Sequence, residues 1–160
     1  YAETFRESEY FPYRQKASGN QVWSFPADCA FPCATQNEIS AIDASNLISH
    51  GVQLVAEGAN MPTTLEGIDI LQDAGVLFAP AKAANAGGVA VSGLEMAQNS
   101  SRIRWNAEKV DLHLQRIMKD IFSTIRDTAA QYGSEGNFVD GANIAGFLQV
   151  AHAMIDQGYV

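Results

Sequence analysis

What most restricts the fold of this chain is a unit that recurs three times: a short apolar run, a loop of unusual composition, then a helical pattern. Ala27-Asp28-Cys29-Ala30-Phe31 reads as a first strand, closed by Pro32 and followed by the polar loop Cys33–Glu38. Asp43 is placed to N-cap a helix through Leu47 and Ile48, with Gly51 as its stop. Val52–Ala56 is the second strand and Glu57–Pro62 its loop; Thr63 with Glu66 predicts a capping box ahead of Ile68 and Leu71, and Gly75 ends that helix. The third unit is the strand Val76–Ala79 and then Lys82–Ser92, a loop dense in Ala and Gly, before a helix through Leu94, Met96 and Ala97.

Short strands separated by helices need crossover connections, so the pattern predicts an α/β fold with a parallel sheet. Ligands of such sheets sit beyond the carboxyl ends of the strands, and all three unusual loops fall on that edge. Small residues in the third loop let a bulky group approach the backbone, while Asn85 and Ser92 offer neutral hydrogen-bonding groups.

Beyond Ser100 the pattern turns helical. Val110, Leu114, Ile117, Met118, Ile121, Phe122 and Ile125 repeat at helix spacing and are expected to face a core. Tyr132–Asn137 breaks the chain; Ile144, Phe147, Leu148, Ala151, Met154 and Ile155 then mark a second helix ended by Gly158, whose wide apolar face needs a surface to cover. Residues 1–24, with aromatic side chains scattered among charges, read as a loop or short elements.

A length of 160 residues with 47% hydrophobic content suits one globular unit. A net charge of −8 argues against nucleic-acid or anionic-membrane partners. No apolar run approaches the ~20 residues of a membrane span, and a cytoplasmic location is expected. Cys29 and Cys33 with three scattered histidines make a poor zinc set, so no metal site is assigned and the thiols are expected to be reduced. The abrupt start at Tyr1 reads as a piece of something longer.

Neither a Gly-x-Gly-x-x-Gly turn nor a P-loop occurs, and Val91-Ser92-Gly93 is no nucleophile elbow. Glu38 and Glu57 lie in loops where they could serve as acids or bases, although ordinary loop carboxylates are commoner. Lys82 has the same ambiguity and stays unassigned, and His152 reads as a helix-face residue.

Three segments, Pro32–Glu38, Ala56–Thr64 and Lys82–Asn99, resemble consecutive motifs of the small hexameric glutamate dehydrogenases, and Gly141–Phe147 is similar to that family's final helix. The match runs in order from about Trp23 to the end. The resemblance implies the carboxyl half of a Rossmann-like nucleotide-binding domain over residues 1–100. A helical C-terminal segment over residues 101–160 would pack on that domain and on a substrate domain. It implies an oxidoreductase interconverting L-glutamate and 2-oxoglutarate plus ammonia, hexameric at full length, with NADP or NAD as cofactor and the NADP-linked members favoured.

By match to the family motifs, Ala34, Asn60 and Asn85 would line the nicotinamide and its ribose. Val89 and Ser92 would face the substrate side chain, with Ser92 donating to the distal carboxylate. The family's catalytic lysines and aspartate belong to an N-terminal domain, so no catalytic residue is assigned and these 160 residues alone are expected to be inactive. Two alternatives stand beside this: an amino-acid dehydrogenase of different side-chain specificity, and a non-catalytic nucleotide-binding or interaction module.

Overall fold

The computed structural model describes residues 19–158; the loop or short elements expected before Gly19 lie outside them. Three strands, β1 (Cys29–Ala30), β2 (Leu54–Ala56) and β3 (Leu77–Ala79), pair in parallel in the order β1-β2-β3. Register sets Ala30 beside Val55 and Val55 beside Phe78. All three strands are shorter than the apolar runs that announce them.

The crossovers are α1 (Ala41–Ser49) and α2 (Leu65–Asp73). Leu47 and Leu71 join Val55, Phe78, Ile39 and Trp23 in one buried core. Leu71 and Val55 are 0% exposed, and burying each side chain contributes on the order of 1.5–3 kcal/mol. No helix among the described residues is long and apolar enough to cross a membrane.

Both helix starts differ by a position or more from expectation. Ser40, not Asp43, is the N-cap of α1; its Oγ accepts from the Asp43 N–H, and Asp43 Oδ2 accepts from the Ser40 N–H at 3.0 Å, a reciprocal capping box. Asp43 is buried because its other oxygen accepts from the Asn20 N–H at 2.5 Å, tying the 3₁₀ turn Gln21–Ser24 to α1. Likewise Thr64 rather than Thr63 caps α2, accepting from the Gly67 N–H at 3.2 Å. Thr63 is engaged elsewhere, in a parallel bridge with Ile39.

The expected third loop is helical. Ala81–Ala84 forms α3 and Ala86–Ser101 forms α4, with Asn85 (φ −94°, ψ 4°) at the joint. Alanine is the best helix former, and the cost of Gly87 and Gly88, about 1 kcal/mol each against Ala, is too small to stop it. Gly87 also lies where α4 meets α5, since a Cβ there would stand 3.4 Å from Leu114 Cδ1.

The long helices are α5 (Ala107–Gln131) and α6 (Phe138–Gln157). The sequence break at Tyr132–Asn137 falls between them, and α6 begins earlier than its apolar pattern because Asn137 Oδ1 accepts from the Val139 and Asp140 N–H groups. Gly158, at φ 82°, follows its last turn. The α5 stripe is only partly covered: Ile125 is buried, whereas Phe122 is 47% exposed. The two helices meet at Gly141, where an added Cβ would collide with the Ile125 carbonyl oxygen and stand 3.1 Å from Ala129 Cβ.

Gly141→Ala is therefore expected to destabilise. The helix-propensity gain of about 1 kcal/mol is outweighed by overpacking of roughly 1–3 kcal/mol against a backbone that cannot rotate away. Urea unfolding checks this; an unchanged or higher midpoint would place α6 farther from α5 than described.

Candidate functional site

A cavity of about 590 Å³ opens beyond the carboxyl ends of β2 and β3. Asn60 and Met61 from the loop after β2, Pro80 and Lys82 around the start of α3, and Asn85 at its end line one side. Val139 and Asn143 of α6 line another, and Leu65 and Ile68 add apolar surface. The result is a mostly apolar chamber with a few amides, the usual make-up of a small-molecule site.

Hydrogen bonds between the loops hold this chamber's wall. The Asn37 N–H donates to the Met61 carbonyl at 3.0 Å, and the Ile39 N–H to that of Pro62 at 2.9 Å. Both Gly58 and Ala59 N–H groups reach the Pro32 carbonyl at 3.0 Å. Glu38 Oε1 accepts from the Ala34 N–H at 2.9 Å, which folds the loop after β1 onto itself. Across the gap Asn85 Nδ2 donates to the Ala59 carbonyl at 3.0 Å.

Asn37 (φ 55°) and Met61 (φ 51°) both adopt left-handed backbone. For a non-glycine residue that conformation costs about 1–2 kcal/mol, and it persists where neighbouring bonds over-determine it. Here the two strained residues are bonded to each other and both line the cavity. At Met61 the turn sets the path of the backbone next to Asn60.

The family-matched residues are brought together unequally. Asn60 and Asn85 line the same cavity. Ala34 lies on the neighbouring loop, exposed and outside the lining. Val89 and Ser92 lie one turn apart on α4 instead of on a loop, also outside the lining, with Val89 74% exposed and Ser92 Oγ donating to the Gly88 carbonyl at 3.2 Å. Of the loop carboxylates, Glu57 is buried with both oxygens accepting backbone N–H bonds. Lys82, unassigned from sequence, donates to Asn143 Oδ1 of α6 and closes one side of the chamber. The sequence signal for that pair was only that both residues fall within otherwise distinctive segments.

Among the described residues no group of three His, Cys, Asp or Glu side chains is arranged to hold a metal ion. Cys29 and Cys33 are exposed free thiols.

The family model of the glutamate/leucine/phenylalanine/valine dehydrogenases matches residues 2–158. The NADP-specific glutamate dehydrogenase of Escherichia coli (strain K12) is 59% identical over 145 residues, covering 89% of this chain and 32% of that protein. A solved glutamate dehydrogenase structure superposes with a TM-score of 0.88 at 42% identity, covering 99% of this chain and 34% of its own. The Plasmodium falciparum glutamate dehydrogenase does so with a TM-score of 0.83 at 46% identity, over 86% of this chain and 30% of that one. The chain thus spans about a third of the length of these relatives.

Left-handed strain at Met61 predicts the effect of removing it. Met61→Gly, at a half-exposed side chain, is expected to stabilise by about 1 kcal/mol, because glycine enters this region without the Cβ clash. A lower thermal unfolding midpoint for this variant would mean that packing of the methionine side chain outweighs the strain.

Proposed function

The chain belongs to the glutamate/leucine/phenylalanine/valine dehydrogenase family, and on that premise we propose that the whole protein interconverts L-glutamate and 2-oxoglutarate plus ammonia with NADP. The names of relatives at 58–59% identity support glutamate and NADP over another amino acid or NAD. In this proposal residues 1–100 form the carboxyl half of the dinucleotide-binding domain. Residues 101–160 pack on it and on a substrate domain, in a cytoplasmic hexamer. The apolar face of α6 supports that packing, since Phe147, Val150, Met154 and Ile155 stand exposed.

The observation that carries the proposal is the convergence of Asn60 and Asn85 on one cavity beyond the strand ends. The residues present fit a nicotinamide ring and its carboxamide: Met61, Leu65, Ile68 and Pro80 supply apolar surface. Asn85 spends one N–H on Ala59 and keeps its other N–H and Oδ1 for a ligand. An amide offers both a donor and an acceptor, so it pairs with a carboxamide in one orientation and selects which ring face meets the substrate. NADP, when bound, supplies the hydride donor or acceptor.

Asn60 and Ala34 complete the nicotinamide and ribose wall in this assignment. Ser92 and Val89, sharing a face of α4, meet the substrate side chain, with the Ser92 hydroxyl turning from the Gly88 carbonyl to the distal carboxylate. These residues bind and orient; the proton transfers at the substrate amine belong to groups of the substrate domain.

Two outcomes are expected in the whole protein. Asn85→Asp weakens NADP binding by about 1–3 kcal/mol, because a carboxylate cannot donate and adds charge to a partly dry site; cofactor titration reads this, and unchanged affinity removes Asn85 from the nicotinamide seat. Ser92→Ala lowers kcat/KM for glutamate by a similar 1–3 kcal/mol with cofactor affinity nearly intact. A loss of Ser92→Ala confined to cofactor binding would reverse the assignment of α4.

A further inference from the structure

We propose that Glu57 is a positioning residue for the nicotinamide end of the cofactor, acting through the two backbone segments that its carboxylate joins; this rests on the glutamate dehydrogenase reading above. Glu57 is 3% exposed. Its Oε1 accepts from the Thr63 N–H at 3.1 Å, closing the loop after β2 into a ring with Asn60 at its middle. Its Oε2 accepts from the Ala81 N–H at 2.7 Å, pinning that ring to the first residue of α3. Four residues on, at the end of α3, stands Asn85, whose side chain returns to the ring at Ala59. The relative placement of the two amides is thereby set by one buried side chain, which stands in the chamber wall with both of its oxygens on backbone donors.

Only a carboxylate of this length does the work. Both partners are N–H donors aimed at different oxygens, so both oxygens must accept. Glutamine offers one accepting oxygen and turns an NH₂ group toward the other N–H, leaving a buried donor unsatisfied. Aspartate is one methylene short of spanning the gap. With both oxygens accepting backbone N–H bonds, Glu57 stands as the ordinary loop carboxylate that is the commoner of the two readings its position allows.

The test is Glu57→Gln in the whole protein, measured by titration with two probes: NADP, and 2′-phospho-ADP-ribose, which has the same diphosphate and adenosine portion but no nicotinamide. The expected result is an NADP affinity lowered about tenfold, the scale of one charge-assisted hydrogen bond, with 2′-phospho-ADP-ribose changed less than about twofold, within the measurement scatter expected of an unperturbed site. Equal loss for both probes would mean general damage to the fold, and no loss for either would mean that the brace is unused; each overturns the proposal. Asn85→Asp run alongside separates the premises: if it too leaves NADP binding unchanged, the nicotinamide seat is wrong, whereas loss in Asn85→Asp alone removes only Glu57. Should Glu57→Gln fail to fold, hydrogen–deuterium exchange of the unaltered protein decides. Slow exchange at the Thr63 and Ala81 amides is expected, and exchange as fast as exposed loop amides overturns the inference.

Discussion

Parallel pairing of three very short strands is the constraint from which the rest of the structure follows. Strands of two, three and three residues form few ladder bonds, so the sheet cannot stand by itself. Its faces must be covered, which the crossover helices do through Leu47 and Leu71, and parallel direction then obliges every strand to release its loop at the same edge. That edge has to be held together by something other than the ladder. It is held by bonds running from loop to loop, among them Asn37 to Met61, Gly58 to Pro32 and Asn85 to Ala59.

Individually such bonds are worth about 1 kcal/mol; jointly they maintain two residues in left-handed backbone, against a comparable cost for each. The chamber wall is therefore ordered by its own network. Its polar lining combines the amides Asn37, Asn60, Asn85 and Asn143 with two charged side chains already engaged, Lys82 on Asn143 and Glu57 on backbone N–H groups.

The alternation of strand, loop and helix was plain in the sequence, because apolar runs and glycine stops depend on near neighbours. Gly51, Gly75 and Gly158 each follow a helix at positive φ, as their positions announce. What failed depended on partners distant in sequence. Asp43 looks like a cap until Asn20 claims one oxygen and Ser40 takes the cap; Thr63 looks like a cap until its backbone is drawn to Glu57 and Ile39. The stretch after β3 departs from expectation for a different reason. Glycine pairs suggest a loop, yet alanine content and packing on Leu114 favour helix. Among the residues lining the chamber, the family motifs single out Asn60 and Asn85, while the bonds of Glu57 leave no sign in the sequence because no local pattern says which backbone groups a carboxylate will meet.

The contact at Gly141 has a mechanical side. Helices that touch through side chains can slide by repacking rotamers, in small steps of shear. At Gly141 there is no side chain on one partner, and the opposing surface is the Ile125 backbone, so α5 and α6 are coupled like two rods welded at a point. Because Val139 and Asn143 sit on α6 just either side of that contact and also line the chamber, the depth at which α5 and α6 interlock sets where this stretch of the chamber wall stands.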